Sequence, residues 1–301
     1  MFPAAFEYHD PGSRAEALAL LAKYGPDARV LAGGQTLLAA MNLGLARPRV
    51  IVDLNCVPEL AYVRPRDGAL ELGALVRHRS LETSPEIQGA CPLLVEAGAL
   101  IGNGRVRSRG TLGGSLAHAD PAAELPAAML ALEAEFRLAA QRSQRSIPAS
   151  AFFVGPLSTA LREDELLVEA RIPALPARTG WAFEEIARRP GSFAIVAVAA
   201  LVTLAEDRSC REARLAFAGA SAVPRRALGA ETLLRGSVPN EARLAEAARA
   251  AADELEVEAD ALVPAAYRRH LARVLAERAL RRALGRAQSG GDKLSADETS
   301  P

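Results

Sequence analysis

Cysteine, aromatic residues and net charge are all scarce in this sequence of 301 residues. Its three cysteines, Cys56, Cys91 and Cys210, lack the CxxC or Cys/His spacing of zinc and iron–sulfur sites, so we expect no metal site in the chain. Aromatic residues make up 4%, too few for a base-stacking platform. Because 36 basic residues balance 36 acidic ones, broad electrostatic binding to nucleic acid is also disfavoured.

Long apolar runs are missing as well. The longest, residues 194–205, is too short to cross a bilayer and indicates a buried element. The first residues lack the basic stretch and apolar core of a signal peptide. We therefore expect a cytoplasmic protein that does not insert into a membrane.

The order of elements predicts three structural units and a tail. In residues 1–57, short apolar strands alternate with helices to form a small α/β unit. Residues 58–177 contain a second α/β unit that ends in a proline-rich joint. Residues 178–287 read as three antiparallel strands followed by three helical runs, an α+β domain. The polar, Gly/Ser-rich residues 288–301 predict a disordered tail.

A first glycine loop follows the predicted strand at residues 28–32. Its two glycines allow close backbone approach to an anion, and a threonine opens the next helix with free amides and a positive dipole end. A pyrophosphate needs such a site. An ordinary strand–turn–helix connection with Thr36 as N-cap explains the pattern equally well. The candidate residues are Ala32, Gly33, Gly34, Gln35, Thr36 and Leu37.

A second glycine loop lies more than 70 residues further on, within residues 109–126. Here Asp120 is the expected N-cap of a helix with Pro121 at its first position. Two such loops suit one elongated ligand held between two lobes, although two unrelated turns are the simpler reading. His118 is expected to be structural, because a lone histidine is more often so than catalytic. The candidate residues are Thr111, Gly113, Gly114, Ser115, Asp120 and Glu124.

Four segments in this order resemble the FAD-binding medium subunit of the molybdenum hydroxylases, the carbon monoxide dehydrogenase and xanthine dehydrogenase family. They are AGGQTLL at 32–38, VRSRGTLGGSLAHADPAAE at 106–124, RRPGSFA at 188–194 and YRR at 267–269. The resemblance extends over residues 6–287. It implies two α/β FAD-binding subdomains of the vanillyl-alcohol-oxidase (PCMH) type and a C-terminal α+β domain.

The resemblance also implies a role for each loop. The first would hold the FAD pyrophosphate, and the second the other side of the phosphates and the ribityl chain. Asp120 or Glu124 would approach the flavin ring, with Leu167 packed nearby and the FAD bound non-covalently. Relatives often carry a lysine where this sequence has Glu184 and Glu185, and an acid there would lower the flavin potential.

The implied function is electron transfer without a catalytic residue in this chain. Electrons would come from [2Fe-2S] clusters in a small subunit, after hydroxylation at a molybdenum cofactor in a large subunit. They would leave through FAD to a quinone, NAD, a carrier protein or dioxygen, in a cytoplasmic dimer of heterotrimers. A self-contained FAD oxidoreductase and a non-catalytic FAD-binding module are the alternatives.

Overall fold

The structure is a computed structural model that describes residues 3–257, 259–260 and 263–297, with side chains as far as Ser289. The strands are β1 Glu7–His9, β2 Ala28–Leu31, β3 Val50–Asp53, β4 Val63–Arg66, β5 Ala69–Gly73, β6 Glu135–Ala139, β7 Gln144–Pro148, β8 Phe153–Gly155, β9 Ser158–Thr159, β10 Leu166–Pro173, β11 Thr179–Ala187, β12 Ala194–Leu204, β13 Cys210–Ala218 and β14 Arg225–Arg226. The helices are α1 Arg14–Tyr24, α2 Leu37–Asn42, α3 His78–Thr83, α4 Pro85–Ala90, α5 Pro92–Leu100, α6 Gly104–Arg109, α7 Leu112–His118, α8 Glu124–Ala131, α9 Ala149–Phe152, α10 Leu228–Leu234, α11 Glu241–Glu254 and α12 Ala265–Asp297.

The N-terminal unit is built on a three-stranded parallel sheet in the order β1-β3-β2. Helix α1 covers it and buries Leu18 and Leu21 against the sheet. Ser13 caps this helix by accepting from the Glu16 amide, while the Glu16 carboxylate accepts from the Gly12 amide. Because β2 and β3 are parallel neighbours, the segments that follow them leave the sheet at one edge.

The second unit contains a five-stranded antiparallel sheet in the order β4-β5-β10-β6-β7. Helices α3, α4, α5, α7 and α8 contribute to a core between this sheet and the C-terminal sheet, which includes Leu94, Leu116, Met129 and Phe136. Residues 102–115, expected from the sequence to be one glycine-bearing segment, contain the short helices α6 and α7.

The C-terminal domain has four strands in the order β11-β12-β13-β14, one more than the sequence predicts. The extra strand is the two-residue β14, which is too short to leave a periodic signal. Strand β12 is buried on both faces, so its side chains alternate between two cores. Ala197, Ala199 and Leu201 face the second unit, whereas Val198 and Val202 face helices α10 to α12.

Two further expectations need correction. Asp120 is not the N-cap of α8, because its carboxylate accepts from the Ala122 amide in a turn and the helix begins only at Glu124, after Ala123. Helix α12 extends to Asp297, so most of the expected disordered tail is helical. No proline interrupts that stretch, and residues 298–301 lie outside the described residues. Among the helices that the structure describes, none is long and apolar enough to cross a membrane.

The glycine at position 180 in β11 allows the last helix, α12, to pack closely on the C-terminal sheet. A Cβ at this position would lie 1.9 Å from the Ala283 carbonyl oxygen and 2.5 Å from the Ala287 nitrogen, both on the backbone of α12. Gly180→Ala should therefore push α12 off the sheet and lower the free energy of unfolding by about 1–3 kcal/mol or more, measured by urea denaturation.

The matched control is Gly285→Ala on the same helix, where an added Cβ meets no atom within 4 Å. This change should leave stability unchanged or raise it by up to about 1 kcal/mol, since alanine favours helix. Equal effects of the two substitutions would show that the helix is not packed as closely on Gly180 as described.

Candidate cofactor site

The first glycine loop presents unused backbone donors at the carboxyl end of β2. The N–H groups of Gly34, Gln35 and Thr36 have no acceptor among the described residues. Gly34 has φ +72°, a conformation that glycine adopts without strain. Thr36 stands at the N-cap position of α2, as predicted, but its hydroxyl makes no capping bond. The loop thus offers amide and hydroxyl donors to an anion.

The second loop uses most of its donors internally. The Thr111 side chain is buried and caps α7 by accepting from the Gly114 amide at 3.1 Å. The Leu112 and Gly113 amides both donate at 2.8 Å, to the carbonyls of Val76 and Ala74. Gly114 is exposed and Ser115 half-buried. These two residues are therefore the part of the loop that a ligand can reach.

The two loops touch through their backbones. A Cβ on Gly33 would lie 2.4 Å from the Arg109 carbonyl oxygen and 2.7 Å from the Gly110 Cα. Only a glycine at position 33 permits this approach, because any side chain would separate the loops. Segments more than 70 residues apart in the sequence therefore line one site.

A polar network fixes this contact from the sheet side. Asn55 follows β3 and donates through Nδ2 to the Ala32 carbonyl at 2.9 Å. Its Oδ1 accepts from Arg77 at 2.7 Å, and the same guanidinium donates to the Arg109 carbonyl at 2.5 Å. Asp53 accepts from the Asn55 amide at 2.9 Å. One chain of hydrogen bonds thus runs from the first loop to the second.

His78 supports the second loop from beneath. Its ring is buried, and Nε2 lies 2.8 Å from the Thr111 carbonyl oxygen. Burial is the main cause that lowers the pKa of His78 to about 4, with a smaller contribution from Arg107 and Arg77. The ring is therefore neutral at pH 7 and donates from Nε2. Gly110 packs on its other nitrogen, since a Cβ there would lie 2.7 Å from Nδ1.

Acidic side chains gather on the far side of the second loop. Glu124 is 3% exposed, and burial with the nearby charge of Asp120 raises its pKa to about 7. Burial, reinforced by the charge of Glu124, raises the pKa of Glu185 to about 8. Of the two acids that the resemblance places near a ring, Glu124 is the buried one and Asp120 is half-buried.

The charged residues around Glu184 lie in two different environments. Glu184 pairs with Arg282 and Arg278 of α12, so this side chain is held against the last helix. Arg188 and Arg189 are exposed and have no ion pair among the described residues. They border a cleft of about 550 Å³ between the second loop and the C-terminal domain. The lining residues are Ala122, Arg188, Arg189, Ser192, Phe193, Ala194, Ile195, Asp260, Val263 and Arg268.

The positions of Leu167 and His118 say little about where a ligand would bind. Leu167 lies on β10 opposite Leu138, with its side chain in the core of the second unit. His118 is the last residue of α7 and is half-buried.

Sequence reasoning missed Asn55, Arg77 and His78. Only Asn55 left a usable signal in the sequence. It stands two residues after β3, and β3 is the parallel neighbour of β2, the strand that precedes the first loop. Arg77 and His78 lie in a stretch without glycine or a motif.

Comparison with known proteins is consistent with this geometry. A family model described as the FAD binding domain in molybdopterin dehydrogenase matches residues 4–175, and one described as the CO dehydrogenase flavoprotein C-terminal domain matches residues 181–283. The 6-hydroxypseudooxynicotine dehydrogenase complex subunit alpha of Paenarthrobacter nicotinovorans is 41% identical, over 96% of this chain and 97% of that protein.

Two solved structures are similar over nearly their whole length. A chain of carbon monoxide dehydrogenase from Hydrogenophaga pseudoflava superposes with a TM-score of 0.92 at 38% identity, covering 95% of this chain and 99% of that one. A chain of quinoline 2-oxidoreductase from Pseudomonas putida 86 gives 0.90 at 37% identity, covering 97% and 100%.

The depressed pKa of His78 predicts a specific acid sensitivity. Between the unfolded value near 6.5 and the folded value of about 4, the unfolded chain binds one more proton, so stability falls as the pH decreases. His78→Gln keeps a donor for the Thr111 carbonyl but does not titrate. The free energy of unfolding should therefore depend less on pH in this window, by up to about 1.4 kcal/mol per pH unit.

The control is His270→Gln on the exposed face of α12. Its free energy of unfolding should depend on pH as that of the wild type does. Chemical denaturation at several pH values between 4 and 7 measures the difference. Parallel curves for wild type and His78→Gln would contradict a neutral, buried His78.

Proposed function

This chain belongs to the family of FAD-binding medium subunits of molybdenum hydroxylases, and we propose that it transfers electrons from an iron–sulfur partner through FAD to an external acceptor. The observation that carries the proposal is the direct contact of two glycine loops, one with free amide donors. Such a cradle suits the diphosphate of a dinucleotide.

The assignment of residues to parts of FAD is also proposed. The first loop holds the pyrophosphate, and the second holds the other side of the phosphates and the ribityl chain through its accessible residues Gly114 and Ser115. Glu124 and Asp120 lie toward the ring, with Leu167 behind them in the core. The full set is Ala32, Gly33, Gly34, Gln35, Thr36, Leu37, Thr111, Gly113, Gly114, Ser115, Asp120, Glu124 and Leu167.

Bound FAD supplies redox chemistry that accepts electrons singly or in pairs. The residues of this chain bind and orient it without a covalent bond. Free amides of the first loop and the positive end of α2 balance phosphate charge. The charge of Asp120 beside the second loop makes the ring environment more negative, which disfavours added electron density and lowers the flavin potential. This chain therefore positions and tunes a carrier.

The partners follow from the division of labour. The described residues contain no cluster of three or more potential metal ligands, and we propose that electrons enter from another chain. A relative is itself called a subunit of a dehydrogenase complex. We propose a small subunit with [2Fe-2S] clusters and a large subunit with the molybdenum cofactor, assembled as a dimer of heterotrimers in the cytoplasm. The acceptor is a quinone, NAD, a carrier protein or dioxygen.

Gly33→Ala should weaken FAD binding at least tenfold. The new methyl group must displace the Arg109 carbonyl, which separates the two loops that grip the phosphates. Fluorescence titration of the apoprotein with FAD measures the dissociation constant. Ser115→Ala should cost less, about 1 kcal/mol for one hydrogen bond.

The control is Gly89→Ala on α4, where a Cβ meets no atom within 4 Å. It should bind FAD as the wild type does. An unchanged dissociation constant in Gly33→Ala would place the pyrophosphate elsewhere.

The chain alone should bind FAD but hydroxylate nothing. Native mass spectrometry of the protein from its host should find it with two further kinds of chain, and only that complex should hydroxylate substrate. An active, stable monomer would instead support the self-contained FAD oxidoreductase, and a chain that binds FAD without being reducible would support the non-catalytic module.

A further inference from the structure

Strand β11 sends two neighbouring glutamates to opposite faces of the C-terminal sheet. Glu184 points to the helices, where Arg282 and Arg278 neutralise it. Glu185 lies on the same face as Phe183, whose side chain belongs to the core shared with α8. Glu185 is therefore turned into the seam between the C-terminal sheet and the second subdomain.

Glu124 enters the same seam from the opposite side. It is the first residue of α8, and α8 packs on β12 and β13. Its carboxyl group is almost fully buried, and no other described residue hydrogen-bonds to it. The Oε2 atom of Glu185 is likewise buried without a partner. Two carboxyl groups thus enter one seam without a donor from another described residue, and Glu124 accepts from its own backbone amide.

Among the described residues, no cation pairs with either carboxyl group. Asp120, in the loop before α8, adds a further negative charge. The basic side chains of the elements packed here are engaged elsewhere: Arg214 and Arg226 pair with Glu133 beyond the far end of α8. Arg268 of α12 pairs with Asp260.

The arginines that follow β11 do not neutralise the two carboxyl groups either. Arg188 and Arg189 are exposed and line the cleft. The described residues of β12 carry no charged side chain. Two ionised carboxylates in this seam would be desolvated and would repel each other, and a single proton removes the repulsion and one of the two desolvation costs.

We propose that Glu124 and Glu185 share one proton across the seam and release it toward the flavin site when electrons arrive there. The release rests on the proposed function, because it requires FAD beside Glu124. Two electrons from the iron–sulfur partner and one proton from the pair then enter the site together. When the electrons leave, the flavin site returns its proton to the pair, so electrons and protons both balance over the cycle.

The shared proton can be observed without FAD. Infrared spectra of the apoprotein should contain the C=O band of a protonated carboxyl group at pH 7, and the band should disappear as the pH rises. The raised pKa values of both groups agree with this. In Glu185→Gln and Glu124→Gln the remaining carboxyl loses its ionised neighbour. The band should then be half lost at a pH lower by about one unit.

The matched control is Glu184→Gln, one residue away on the other face of the strand. It should leave the midpoint of the band where the wild type has it. A midpoint that is unchanged in both Glu185→Gln and Glu124→Gln would overturn the shared proton.

The release of the proton is tested on the FAD-loaded protein by its midpoint potential against pH. The slope of midpoint potential against pH should change at the pH where the carboxyl band disappears. In Glu185→Gln this change of slope should shift to the same lower pH as the band, whereas in Glu184→Gln it should stay where the wild type has it. Coincident curves for wild type and Glu185→Gln would overturn the release. Failure to bind FAD would overturn the proposed function, while the infrared result on the pair would still stand.

Discussion

The backbone contact between Gly33 and the Arg109–Gly110 segment is the constraint on which the site depends. It brings amides from the N-terminal unit beside the accessible end of the second loop. The contact requires a glycine in the first loop, a second glycine over the His78 ring, and the Asn55–Arg77 hydrogen bonds that hold both backbones. Each of these residues holds another in position, so the candidate site depends on how the two segments pack against each other.

The doubly buried strand β12 plays a similar part for the C-terminal domain. Its alternate side chains enter two cores, which fixes the sheet between the second subdomain and the terminal helices. The same alternation on β11 separates Glu184 from Glu185 and assigns one to an ion pair and the other to the seam. A structural strand thereby places a titratable group beside the cofactor-binding subdomain.

Much of the local structure could be predicted from the sequence. The α1 cap at Ser13, helix α5 at 92–100 and strand β10 near the end of the second unit depend on capping and periodicity among near neighbours. Predictions failed where a distant group or a very short element decided the outcome. Asp120 could have capped a helix, but it closes a turn on Ala122 instead, and β14 forms only because β13 lies beside it.

The sequence by itself determined the family and the two glycine loops, because these rest on residue types in fixed local order. The tertiary structure alone decided that Gly33 touches Arg109, that His78 is neutral beneath Thr111, and that Glu124 and Glu185 enter one seam. Burial and proximity between segments far apart in the chain set these properties, and neither is encoded in the spacing of residues along it.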